Sequence, residues 1–240
     1  FILINDILFQ DLFIYFIGLL ITGVIGGLIA GLFGVGGGIV IVPILFWIFT
    51  SLNFPNEILM HMAIGSSLAT IIPTSISSAR AHYKKGSIDI DIIKKWCSGI
   101  FLGAVIGGLS GKYFSVNELK YLFAIIAFLV ALNMFLKEPL KIAKKLPISR
   151  LINVSISTFI GFVSSLMGVG AGTLGVPTLV ALSVPIHKSI GTAAALGLFI
   201  AVPATLGLAF SGFNVPNRPP MSIGYVNLIA FFIMFPLTVF

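Results

Sequence analysis

Apolar positions along this chain come in long unbroken runs rather than in alternation with polar ones. No Asp, Glu, Lys or Arg occurs between Asp11 and Glu57, nor between Arg150 and Lys188. Runs of 18 or more residues with few charges read as membrane-spanning helices. Their continuity argues against a β-barrel, whose strands alternate. The pattern predicts about nine hydrophobic segments: Leu12–Phe33, Ile39–Leu52, Glu57–Ala79, Trp96–Gly111, Leu119–Leu136, Leu151–Met167, Thr173–Ser183, Lys188–Phe210 and Ser222–Phe240. Polar stretches at 80–95, 137–150 and 211–221 separate some of them. The expected fold is an all-α, polytopic helical membrane protein.

The first two segments are divided by a glycine-rich break that the chain repeats. Gly34, Val35, Gly36, Gly38, Val42 and Pro43 recur at one constant spacing as Gly168, Val169, Gly170, Gly172, Val176 and Pro177. A second echo follows, His61-Met-Ala-Ile-Gly-Ser66 against His187-Lys-Ser-Ile-Gly-Thr192. Two repeats are therefore expected, a first over 1–136 and a second over 151–240, joined by a basic linker, 137–150. Residues 112–136 have no counterpart, so the second repeat reads as incomplete, its last helix missing. Glycine-interrupted segments at corresponding places in two halves point to the binding site of a transporter.

Composition sharpens this picture. The chain is 58% hydrophobic and 9% charged, with a mean hydropathy of +1.15, far from the roughly 25% charge of a soluble domain. Its net charge of +7 does not indicate nucleic acid, because the basic residues sit in two loops between spans. That distribution is how orientation in a membrane is encoded. Loops 80–95 and 137–150 are accordingly expected on the cytoplasmic side. The short segment after each glycine break decides the symmetry. If it crosses the membrane, the repeats are inverted; if it is a re-entrant hairpin, they are parallel. Loop 80–95 holds Arg80, Lys84, Lys85, Lys94 and Lys95, whereas its counterpart 211–221 holds only Arg218. That inequality favours inverted repeats whose broken helices meet near the midplane. One cysteine, Cys97, excludes an intrachain disulfide and a multi-cysteine metal site. Gly99, Gly103, Gly107 and Gly111, four apart, read as a face for close helix packing.

These residues resemble the TauE/SafE group of sulfite and organosulfonate exporters. The resemblance rests on Gly27, Ala30, Gly31, Leu32, Gly34, Gly36, Gly37, Gly38, Val42 and Pro43, then on Ala63, Gly65, Ser66, Ser67 and Leu68, and on Gly86-Ser-Ile-Asp89. It covers both halves. The second half departs from the pattern with Ser164, Ser165 and Ala171 in place of Ala30, Gly31 and Gly37. The resemblance implies a secondary transporter that exports small sulfur-containing anions. Uptake of carboxylates or other sulfur anions, or a non-transporting subunit role, stands as the alternative. It also implies a bacterial-type plasma (inner) membrane.

The candidate anion site is Gly34, Gly36, Gly37 and Gly38 with Gly168, Gly170, Gly172 and Thr173 at the two breaks. A helix that starts inside a membrane leaves its first N–H groups unpaired, carries positive partial charge there, and with glycine lets an anion come close. Ser66, Ser67, Thr70 and Thr192 are candidate hydroxyl donors, against the alternative of bonding back to their own helices. His61 and His187 are candidates for proton or anion coupling, against capping a turn. No paired carboxylates, metal-ligand cluster or phosphate-binding loop is seen in the apolar segments, so no enzymatic activity, metal or cofactor is expected. The expected partners are a small anion and membrane lipids, with a homodimer open and no nucleic acid.

Overall fold

The computed structural model describes residues 9–33, 37–135 and 149–239. Gly34, Gly36 and most of the basic linker 137–150 lie outside the described residues. The described chain is helical almost throughout: α1 (Phe9–Phe33), α2 (Gly38–Ser51), α3 (Leu59–Lys84), α4 (Ile90–Ser110, continued by a 3-10 turn to Tyr113), α5 (Val116–Phe135), α6 (Arg150–Met167), α7 (Ala171–Ala181), α8 (Ile186–Ser211) and α9 (Leu228–Val239). Among them α3, α4 with its extension, α5, α6 and α8 are long and apolar enough to cross a membrane. The chain is an all-α, multi-pass membrane-type protein. At about 1.5 Å per residue, the helices α2 and α7 are by themselves too short to cross roughly 30 Å of hydrocarbon, so a crossing at either place includes the residues that flank the helix.

Polarity decides which helix goes inside. The Ser- and Thr-rich helix α3 is the most enclosed of the five, 83% of its span being buried, against 11% for α5. Polar side chains are costly against lipid and find partners within a bundle. The apolar surface of α5 at Tyr121, Ile125, Phe128 and Leu132 is exposed. Glycines set the closest helix contacts. A Cβ on Gly103 would overlap the Thr158 carbonyl, and one on Gly161 the Ile100 carbonyl, so α4 and α6 pack backbone to backbone. The same holds for α4 and α8 at Gly108 and Gly207.

Two helix ends differ from expectation. The polar stretch 80–95 is mostly helical, with α3 running to Lys84 and α4 starting at Ile90. Lys and Arg are good helix formers, and only Gly86, at φ 66°, forces a turn. Asp89 then caps α4, its carboxylate accepting from the N–H groups of Asp91 (3.1 Å) and Ile92 (3.2 Å), a strongly preferred N-cap arrangement. In the second half the last helix starts at Leu228 rather than Ser222. A short antiparallel hairpin, β1 (Ser222–Ile223) and β2 (Val226–Asn227), precedes it, with Gly224 at φ 55° in its turn. Asn227 caps α9 through its Oδ1, which accepts from Ala230 N–H at 2.9 Å.

The halves are joined by two matching contacts. Ser66 Oγ on α3 accepts from the Asn227 N–H at 3.0 Å. Thr192 Oγ1 on α8, its counterpart in the sequence echo, accepts from the Asp89 N–H at 2.9 Å. Gly65 and Gly191, the residues just before, have room for no side chain, because the carbonyls of Tyr225 and Ser87 fill that space. The start of α3 thus lies beside the segment that follows α8, and the start of α8 beside the segment that follows α3. The two helices run past each other in opposite directions.

Candidate functional site

Glycine makes both breaks sterically possible, and the breaks touch. At the end of α6, Gly168 adopts φ 73°, a left-handed conformation that glycine takes without the usual Cβ penalty. Val169 N–H then reaches back to the Ser164 carbonyl at 3.0 Å, and extended Gly170 leads into α7. In the first half Gly37, at φ 71°, opens α2. A Cβ on Gly38 would overlap the Gly168 carbonyl and lie 2.8 Å from Val169 Cα. Ser67 Oγ on α3 donates to that same Gly168 carbonyl at 2.8 Å.

Beside this junction the first turn of α7 opens on a small cavity of about 10 Å³, the room of a single water. Gly170 and Ala171 line it from α7, Thr74, Ser75 and Ser78 from α3, Ala193, Ala194 and Gly197 from α8, and Ala30 from α1. The cap residue of α7, Gly170, has no side chain to bond the first N–H groups. Those groups also have no acceptor within the helix itself, and the helix end carries about half a positive charge. Ser78 Oγ and Thr173 Oγ1 are buried without a hydrogen-bond partner. Gly197 holds the space between the two kinds of donor. A Cβ there would sit 2.7 Å from Ser75 Oγ and 3.8 Å from the Ala171 nitrogen. Among the described residues that line the cavity there is no Lys, Arg or His. Such a wall offers hydroxyls, peptide N–H groups and one helix end: neutral donors that suit a compact oxyanion.

The model of the sulfite exporter TauE/SafE family matches residues 19–240. The chain belongs to the TauE/SafE family. It is 33% identical over 222 residues to a probable membrane transporter protein of Haemophilus influenzae, covering 91% of this chain and 83% of that one. It is 31% identical over 190 residues to the probable membrane transporter protein YunE of Bacillus subtilis, covering 70% and 68%. A probable membrane transporter protein of Methanocaldococcus jannaschii is 30% identical over 224 residues, covering 88% and 77%. No solved structure matches the chain. This TauE/SafE protein is a multi-pass member of a membrane transporter family.

The residues singled out from sequence fall into different surroundings in this TauE/SafE fold. Gly170 lines the cavity, and Gly172 and Thr173 follow it in the first turn of α7. Gly37, Gly38 and Gly168 form the junction of the breaks. Ser66, Ser67 and Thr192 are engaged in the contacts between halves already described, and Thr70 Oγ1 donates to the Ser66 carbonyl of its own helix at 2.9 Å. None of these four hydroxyl residues lines the cavity. The two histidines have unlike environments. His61 is buried, stacked on Tyr225 at 4.7 Å, with Nε2 at 3.2 Å from the Gly111 carbonyl and 3.0 Å from that of Phe114. Two carbonyl acceptors place the proton on Nε2, which ties down the turn between α4 and α5. His187, at the start of α8, is exposed.

Ser75, Ser78 and Gly197 were not singled out as site residues. Ser75 and Ser78 belong to the hydroxyl-rich third segment, and a finer signal was present in their i, i+3 spacing, which sets both on one helical face. Gly197 carried no signal, since an isolated glycine in a membrane helix most often serves packing.

Proposed function

We propose that this TauE/SafE protein is a secondary transporter that exports small sulfur-containing anions such as sulfite or organosulfonates. The observation that carries the reading is the uncapped first turn of α7 facing Ser75 and Ser78 across a cavity that no cation among the described residues lines. The anion accepts hydrogen bonds from the first N–H groups of α7 and from the two serines, with Thr173 next in the same turn. A buried Lys or Arg would cost at least about 2.5–3.5 kcal/mol to insert. Neutral donors avoid that cost and hold the anion loosely enough to release it.

Alternating access follows from the matched contacts between halves. The pairs Ser66–Asn227 and Thr192–Asp89 tie equivalent elements of oppositely directed helices, which supports inverted repeats. Two such repeats can rock about a site at their junction and open it to either side. A cavity of about 10 Å³ has no room for sulfite, so the conformation described is a closed one, and loading requires α1 or α8 to draw back from α7. The test is sulfite flux from liposomes that contain the purified protein alone. Efflux above that of protein-free vesicles, reduced in Ser75→Ala, supports the reading. Flux at the background level contradicts it.

A further inference from the structure

A second cavity, remote from α7 in its lining, lies between the first turns of α4 and α6 and measures about 360 Å³. Asp91, Lys94, Lys95 and Ser98 line it from α4, and Arg150 and Asn153 from α6. The four α4 positions follow the i, i+3, i+4, i+7 spacing of one helical face, so the basic side chains share one side of the helix. Among the described lining residues two lysines and an arginine outnumber the single carboxylate of Asp91. Ser149, the cap residue of α6, makes no side-chain cap bond, so the positive end of that helix adds to the field.

Beyond the cavity the two helices are sealed together, because Gly99 and Gly103 bring α4 against Val154, Ser157 and Thr158 of α6. The rows that flank this seam turn apolar. On α4 the row from Lys94 through Ser98 reaches exposed Leu102, and on α6 the row from exposed Leu151 passes Ser155 to exposed Phe159. A basic bowl thus sits above an apolar wall. Setting the orientation of a membrane protein requires positive charge near the ends of spans. It does not require cations from two helices to converge on one cavity.

We propose that this cavity binds the headgroup of an anionic membrane phospholipid. Lys94, Lys95 and Arg150 hold the phosphate, and the acyl chains lie along Leu102 and Phe159. Inorganic phosphate offers the same oxygens to the same cations, but it makes no use of the apolar wall. Basic pockets between membrane helices are suited to such headgroups.

Native mass spectrometry of the purified full chain in a neutral detergent, titrated with dioleoyl phosphatidylglycerol or dioleoyl phosphatidylcholine, reads the binding directly. Phosphatidylglycerol should bind about tenfold or more tightly than phosphatidylcholine, and each of Lys94→Gln, Lys95→Gln and Arg150→Gln should weaken it about fivefold. Lys94→Arg, which keeps the charge, and Arg218→Gln, in the loop after α8, should bind like the wild type. Thermal unfolding with and without phosphatidylglycerol or inorganic phosphate distinguishes the source of the oxyanion, with protection expected from the lipid alone. Equal binding of the two lipids, unchanged binding in the three glutamine variants, or equal protection by inorganic phosphate would each overturn the proposal.

Discussion

Ser67 on α3 donates its hydroxyl hydrogen to the carbonyl of Gly168 at 2.8 Å, so a helix of the first half fixes the glycine break of the second. The bond holds the residue that ends α6, two before the cap of α7 at Gly170, and with it the direction in which α7 starts. Ser67→Ala removes the donor and leaves a buried carbonyl short of its partner. Hydrogen bonds between membrane helices contribute about 0.6 kcal/mol on average, with a maximum near 1.7. Unfolding in mixed micelles should show a loss within that range. A stability equal to the wild type would show that the bond does not hold the break.

The matched positions Gly65 and Gly191 predict matched sensitivity. A methyl group at either would meet a backbone carbonyl, Tyr225 for one and Ser87 for the other. Backbone cannot move aside as a side-chain tip can, and overpacking of this kind costs about 1–3 kcal/mol. Gly65→Ala and Gly191→Ala should lower the melting temperature by similar amounts, as read by thermal unfolding in detergent. A large drop in one and none in the other would break the equivalence of the two halves.

Oppositely directed α3 and α8 predict that the loops following them emerge on opposite faces of the membrane. Lys85 follows α3, Asn214 follows α8, and both are exposed. In a Cys97→Ser background, Lys85→Cys and Asn214→Cys should react with a membrane-impermeant thiol reagent from opposite sides. Labelling of both from one side would contradict inverted repeats.

Much of this architecture was legible in the residues themselves, for reasons that are local. Unbroken apolar runs mark spans, and the glycines of 34–38 and 168–172 mark where helices stop inside the apolar region. The ends of α3 and α4 were less legible, because Lys84 and Lys94 fit a helix as well as a loop. The caps at Asp89 and Asn227 are what define those ends and the start of α9. Gly86-Ser-Ile-Asp89 and Gly224-Tyr-Val-Asn227 are the pattern that announces them. Least legible were the roles of individual hydroxyls. Ser66 and Ser75 lie on one helix, yet Ser66 meets the backbone of the segment after α8 while Ser75 faces the α7 turn. That difference depends on which element approaches each face, which no spacing within α3 encodes.

Neutral donors at the first turn of α7 are proposed to hold the anion, and calorimetric titration of the purified protein with sulfite measures what each contributes. Ser75→Ala removes a hydroxyl from a charged partner, a contact that contributes about 1.5–3 kcal/mol, so binding should weaken by roughly ten- to a hundredfold. Gly197→Ala places a methyl group between Ser75 and the Ala171 nitrogen. The only close neighbour of that methyl group is a hydroxyl that can rotate away, so the variant should fold and bind poorly. Arg80→Gln and Lys188→Gln should bind like the wild type. Normal binding in Ser75→Ala and Gly197→Ala, with binding lost in the two basic variants, would place the anion at the membrane surface and contradict the account.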